Sequence, residues 1–189
     1  AHGTGMSVLR DHSVKAPGLV LNLTTVMAED EGAKAARDHI DSLQNEFWLD
    51  LLAGRGVSAE LIARTRDITD WSFVDPDQLA NIAQPVDWLG INYYTPIRVT
   101  GEVKGAEPNA QGQDFSLYPG TPSGVKMASR DPRTKMGWEI YAPAMTSTLL
   151  ETSTRLPNVP LFITENGGAF DDKLVNGQIH DQGRVDYYL

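Results

Sequence analysis

Pro160-Leu161-Phe162-Ile163-Thr164-Glu165-Asn166-Gly167-Gly168 decides how the rest of this chain is read. Apolar and β-branched residues run into a lone carboxylate, and glycines follow at once. A short apolar run bounded by Pro and Gly predicts a strand buried on both faces. A carboxylate at the last residue of such a strand is costly to desolvate, so it needs a reason. In a parallel barrel the carboxyl ends of the strands form the active-site face, and Glu165 would then point into a cleft. The plainer alternative is a strand-end Glu that reaches solvent or pairs with an Arg.

Two other stretches have the same shape. Gly18 to Thr25 is a Leu-rich apolar run ending in Asn and Thr, and Val86 to Pro96 begins apolar and ends in Asn, Tyr and Thr. Both predict strands. All three strands pass from apolar to polar: Asn22 and Thr24, then Asn92 and Tyr94, then Glu165. Helical sequence follows each one. Glu29 to Leu52 carries Ala33, Ala36, Ile40, Leu43, Phe47 and Leu51 at spacings of three and four, which predicts one long helix. Its acidic start, Glu29-Asp30-Glu31, suits a helix N-terminus, and Gly54 and Gly56 end it. Ser58 is placed to cap a shorter helix through Arg64. Asp75-Pro76-Asp77 starts another through Ile82, and Met6 to Asp11 reads as a helix end. Gly137 to Pro143 leads into a helix with Met145, Leu149 and Leu150 on its apolar side, and Asp181 to Leu189 is again helical. Gly101 to Arg133 is irregular, a loop long enough to suggest function or disorder. Strands alternating with helices predict a parallel α/β sheet, with Asn22, Asn92, Tyr94 and Glu165 at one common end. No Gly-rich phosphate fingerprint follows any strand, which argues against a dinucleotide site.

Composition narrows the chemistry. The 189 residues allow one sizeable core. A net charge of −9 argues against a nucleic-acid or anionic-membrane surface and favours neutral substrates. There is no cysteine, hence no disulfide framework and no thiolate metal site. His2, His12, His39 and His180 show no ligand spacing, so neither a metal nor an organic cofactor is expected. No apolar segment reaches membrane-spanning length. Ala1-His2-Gly3-Thr4-Gly5 looks like neither a signal peptide nor a natural start, and a cytoplasmic location is the expectation.

Three motifs in order carry a family resemblance. Ile163-Thr164-Glu165-Asn166-Gly167 resembles the nucleophile motif of family 1 glycoside hydrolases, the β-glucosidase family. Leu89-Gly90-Ile91-Asn92-Tyr93-Tyr94-Thr95 is similar to that family's sixth barrel strand, and Met136-Gly137-Trp138-Glu139-Ile140 to the segment before its seventh. Ala1-His2-Gly3, Leu21-Asn22-Leu23-Thr24 and Arg184-Val185-Asp186-Tyr187 match weaker family patterns. The resemblance covers essentially the whole chain and implies a (β/α)8 barrel and a retaining β-glycosidase acting on β-glucosides or similar neutral sugars. Such enzymes need two carboxyl groups roughly 5–5.5 Å apart, a nucleophile and an acid/base. By resemblance Glu165 is the nucleophile and Tyr94 donates a hydrogen bond to it, with a core aromatic as Tyr94's structural alternative. Asn92 would sit near the sugar 2-hydroxyl, or else cap a strand end. Trp138 would be a platform beside the leaving group, or else plain core packing.

The departures from the family pattern set the expected limits. The acid/base Glu of a Thr-x-Asn-Glu-Pro motif is absent; Asn45-Glu46 is a decoy, because Phe47 follows it and the pair lies in the predicted helix. Thr25 stands where the family has Pro, and Leu51 replaces the Pro of an Asp-Pro pair. The resemblance therefore implies one partial barrel domain over residues 1–189, strands five to seven, with strands one to four and eight not represented. Two functional classes stand open: a retaining β-glucosidase, or a non-catalytic sugar-binding or complementing piece. The expected partners are a β-glucoside and either a complementary barrel fragment or a second copy of the chain.

Overall fold

The structure, a computed structural model, describes residues 1–101 and 118–189. Three parallel strands form its central sheet: β1 (Leu19–Asn22), β3 (Leu89–Asn92) and β6 (Leu161–Glu165), in that spatial order. The register places Leu19 beside Leu89 and Leu89 beside Leu161, and at the other end Asn22 beside Asn92 and Asn92 beside Glu165. The polar strand ends therefore share one edge, as the apolar-to-polar polarity predicts. A bulge between Ile91 and Asn92 makes this alignment. Without it Asn92 would pair with Thr164, so the bulge brings the carboxylate into line with the amide.

Leu19, Leu21, Leu89, Ile91 and Leu161 turn toward a core with Leu23, Leu49, Tyr93, Ala144 and Leu156. The helices over this face are α3 (Phe47–Leu52) and α6 (Ala142–Arg155), the latter burying Ala144, Thr148 and Thr152. Val20, Gly90 and Phe162 share the opposite face by register. Gly90 is required there: a Cβ would lie 2.7 Å from Thr164 Cγ2 and 2.9 Å from Val20 Cγ2. β6 itself is not buried on both faces. Phe162 is 55% exposed and Ile163 49%, because β6 is an edge strand and no layer covers its second face among the described residues.

β1 and β3 each run on after a short break. β2 (Val26–Ala28) pairs in parallel with β4 (Ile97–Thr100), and β5 (Lys126–Ala128) adds to β4 in antiparallel fashion. This second sheet covers its own core of Val26, Ala33, Ala36, Ile40, Val99, Tyr118 and Met127. The irregular reading of Gly101 to Arg133 is corrected at β5; residues 102–117 lie outside the described residues. The predicted single helix is also corrected. A 3-10 turn (Glu31–Ala33), α2 (Lys34–Asp41), a π-turn (Ser42–Glu46) and α3 follow one another without a gap. α1 (His2–Asp11), α4 (Ala59–Thr65) and α5 (Pro76–Ile82) complete the outer helices. Ser58 and Asp75 cap α4 and α5 through bonds from the Leu61 and Asp77 amides. Beyond β6, a hairpin of β7 (Leu174–Val175) and β8 (Gln178–Ile179) leads into α7 (Gln182–Tyr188).

Candidate active site

Glu165 ends β6 and its side chain is exposed. Its carboxylate accepts a hydrogen bond from the Tyr94 hydroxyl. That bond raises the Tyr94 phenol above its ordinary value, so the group stays protonated and able to donate well past neutral pH. The backbone holds both residues in place: the Tyr93 amide donates to the Glu165 carbonyl at 3.0 Å, and the Leu23 amide to the Asn92 carbonyl at 3.2 Å. On the far side, Asn166 Nδ2 donates to the Tyr93 carbonyl at 2.8 Å and reaches the Tyr187 hydroxyl at 2.9 Å. The Tyr188 hydroxyl donates to the Asn166 carbonyl at 3.0 Å. The residue after Glu165 is thus fixed by a strand on one side and by α7 on the other. Gly167 lies at φ 152°, where a Cβ would approach the Tyr188 oxygen to 3.1 Å.

Asn92 stands beside Glu165 in the ladder. Its Oδ1 accepts a bond from the Thr164 hydroxyl at 2.7 Å, which engages the carbonyl end of the amide. Trp138 packs against Tyr94, the ring centroids 5.4 Å apart and the planes inclined by 49°. Tyr94 and Trp138 line a cleft of about 290 Å³, together with Asn22, Thr24, Arg98, Tyr118 and others. Glu165 and Asn92 lie outside that lining, joined to it through Tyr94. All four residues singled out in the sequence therefore meet at one strand-end region: Glu165 with Tyr94 and Asn92, and Trp138 with Tyr94.

The decoy pair has its own explanation. Asn45 is buried in the π-turn, where Oδ1 accepts from the Thr24 amide at 3.1 Å and Nδ2 donates to the Thr24 carbonyl at 2.7 Å. Glu46 pairs with Arg155. Both side chains serve the scaffold.

A buried ion pair was missed by the sequence reading. Arg98, on β4, forms a two-pronged bond to Glu139 with both N–O distances 2.6 Å, and bonds Glu29 at 2.7 Å. Arg98 and Glu139 are almost wholly buried. Burial alone would lower the Arg98 value, but the bonds to Glu139 and Glu29 outweigh it and hold the guanidinium charged. One signal was available: Ile97-Arg98-Val99-Thr100 sets a lone cation in a β-branched run, which calls for a buried partner.

No group of three or more His, Asp or Glu is placed to hold a metal ion among the described residues. The buried His39 is occupied by the Pro119 carbonyl at 2.8 Å. No helix among the described residues is long and apolar enough to cross a membrane.

The family model for Glycosyl hydrolase family 1 matches residues 1–189. A bifunctional beta-D-glucosidase/beta-D-fucosidase from Bifidobacterium breve is 34% identical over 99% of this chain and 41% of its own length. A beta-glucosidase from an Agrobacterium species is 35% identical over 100% of this chain and 39% of its own length. The crystal structure of a psychrophilic beta-glucosidase from Micrococcus antarcticus superposes with a TM-score of 0.88 at 28% identity, covering 99% of this chain and 42% of that one. The chain thus spans about two fifths of these relatives, and its α/β elements match part of their barrel without closing one. With the family model matched from end to end and relatives above 30% identity along the whole chain, this chain belongs to glycosyl hydrolase family 1.

Proposed function

We propose that the protein containing this chain is a retaining β-glycosidase acting on β-glucosides, and that Glu165 is its nucleophile. The observation that carries the reading is the hydrogen bond from Tyr94 to the Glu165 carboxylate at the carboxyl end of a parallel strand, beside a cleft walled by Trp138. The carboxylate attacks the anomeric carbon and forms a glycosyl ester, while the leaving-group oxygen departs and takes a proton. Water then cleaves the ester and releases the sugar. Tyr94 fixes the orientation of the carboxylate through its hydrogen bond. The Asn92 NH₂ makes no hydrogen bond among the described residues and is the end offered to the sugar 2-hydroxyl. Trp138 gives the leaving group a flat apolar face. A related virulence factor from Agrobacterium tumefaciens, 34% identical, has been crystallised with its substrate analog salicin, which supports an aryl β-glucoside as the probe.

The acid that protonates the leaving group belongs to a part of the protein outside this chain, and β1, β3 and β6 take the places of strands five to seven of a (β/α)8 barrel. No metal or organic cofactor enters the chemistry. The lack of an Asn-Glu-Pro segment favours a second reading for the 189 residues alone, a complementing or sugar-binding piece that turns over nothing unaided. The experiment is labelling of the full-length protein with a 2-fluoro β-glucoside, followed by peptide mass spectrometry. The adduct is expected on Glu165 and is lost in Glu165→Gln. An adduct on any other carboxylate overturns the assignment.

A further inference from the structure

We infer that the buried Arg98–Glu139 ion pair fixes the leaving-group wall of the cleft, and so sets which β-glucosides the enzyme prefers, by holding Trp138 against Tyr94. The inference rests on the reading that this cleft receives the leaving group. It begins from a closed circuit of contacts. Tyr94 and Arg98 belong to one continuous stretch, the end of β3 running into β4. Trp138 and Glu139 are neighbours on a separate segment. The two segments meet twice: at the Trp138 and Tyr94 rings, 5.4 Å apart, and at the Arg98–Glu139 fork.

Glu139 is held at both carboxylate oxygens and at its carbonyl. Its carboxylate takes both prongs of the guanidinium and the Arg130 amide at 3.0 Å, and its carbonyl accepts the Thr95 hydroxyl at 3.1 Å. Trp138 is tied through its own backbone to Thr134, whose amide donates to the Trp138 carbonyl at 2.8 Å. The indole thus projects from a peptide with little freedom. Its distance from Tyr94, and with it the width of the cleft, follows from where Arg98 places Glu139. Arg98 itself lines the cleft. A guanidinium fixes a carboxylate in two directions, whereas an ammonium gives one point of charge. Shortening the fork to a lysine keeps the charge and frees the tilt of Glu139. Neither residue touches the reacting atoms, so both are positioning residues.

The test uses the full-length protein and two substrates with the same sugar, 4-nitrophenyl β-glucoside and methyl β-glucoside. Both pass through the same glycosyl ester, so a change in the ratio of their kcat/KM values between wild type and a variant arises before the ester forms, while the leaving group is still held. Arg98→Lys and Glu139→Gln are expected to lower kcat/KM for the aryl substrate about 10-fold and to leave the methyl substrate within about 3-fold, the scale of loss from a sub-ångström misplacement. Trp138→Ala should lower the aryl-to-methyl ratio by at least as much, and adding Glu139→Gln to it should change the ratio no further. Parallel losses on both substrates, or losses that add in the double variant, overturn the inference and leave the pair a scaffold element. If the wild-type protein cleaves neither glucoside, the proposed activity fails on its own. Binding of the aryl and methyl β-thioglucosides then decides the present point: unchanged aryl preference in Arg98→Lys, or no binding of either ligand to wild type, overturns it.

Discussion

At the scale of single residues, the site depends on a carboxylate that must be charged and a phenol that must not be. Glu165 is exposed at the end of β6 and open to substrate. Tyr94, its value raised by the bond to Glu165, keeps its proton across the neutral range. Replacing Tyr94 by Phe removes the one side-chain bond to the nucleophile among the described residues. We expect the rate of glycosyl-ester formation to fall about 10²-fold, as misplaced reacting groups do, while the stability of the protein changes little because Tyr94 is not buried in a core. Pre-steady-state release of the aryl alcohol measures that rate, and an unchanged burst would refute the role. Arg98 and Glu139 make the contrasting case. Glu139→Ala leaves a buried guanidinium with Glu29 as its one carboxylate partner among the described residues, and denaturant unfolding should show a loss of about 3 kcal/mol. Glu165, Tyr94 and Asn92 were legible because each sits where an apolar strand turns polar. Arg98 and Glu139 were not, because a buried ion pair is defined by two residues 41 positions apart, and neither reports its partner.

At the scale of elements, the helical run after β2 shows how one polar contact reshapes a segment that periodicity reads as regular. Ala33, Ala36 and Ile40 are buried as the spacing predicts, but the π-turn at Ser42–Glu46 inserts one residue and swings Asn45 inward to clamp both backbone groups of Thr24. Asn45→Ala should cost about 2–3 kcal/mol, since two buried backbone groups lose their partner. Thermal unfolding that matches wild type would exclude the clamp. Thr25 tells a similar story: its amide donates to Thr148 Oγ1 at 2.9 Å and its hydroxyl to the Ala144 carbonyl at 3.0 Å. A Pro at that position could not make the first bond, so Thr ties β2 to α6 in another way. Asp41 gives a pH signature. Its burial raises the carboxyl value, and the Asn45 bond and the Arg155 and Arg37 charges do not fully offset this. A carboxyl that holds its proton more tightly folded than unfolded favours the fold at low pH, and that favour is lost as the pH climbs through the raised value. Asp41→Asn keeps an acceptor for Asn45 and removes the charge. It should be more stable than wild type near about pH 7 and lose that advantage near about pH 3, below the ordinary carboxylate value. The extra strands β2, β4 and β5 were not legible because each is three or four residues long, too short to show a period, and β2 and β4 start directly after the polar ends of longer apolar runs. The β7–β8 hairpin did carry its signal. Asn176 and Gly177 both sit at positive φ in a two-residue turn between Leu174-Val175 and Gln178-Ile179, the arrangement that Asn-Gly favours.

At the scale of the whole molecule, a sheet three strands wide has edges at β1 and β6, and one of its faces is uncovered among the described residues. Val20 and Phe162 on that face are 41% and 55% exposed, and Ile163 on the edge strand is 49% exposed. Trp88 packs edge-on against Phe162 at 5.8 Å and does not cover it. Apolar surface beside an unpaired strand edge drives association. The predicted burial of β6 failed here, and the failure is informative: its Leu-Phe-Ile-Thr sequence is written for a strand with two covered faces. The relatives, more than twice as long, have chain to spare for that cover. Phe162→Ser should therefore act in opposite directions in two settings. In the isolated 189-residue chain it removes the most exposed aromatic of the sheet, and sedimentation should show weaker concentration-dependent association than wild type. In the full-length protein it opens a cavity in a covered face, and the unfolding free energy should fall by about 3 kcal/mol or more, as large-to-small core changes do. A loss of stability below about 1 kcal/mol in the full-length protein would mean that Phe162 stays at the surface there too, and a wild-type chain of 189 residues that remains monomeric at high concentration would mean that the open face needs no cover.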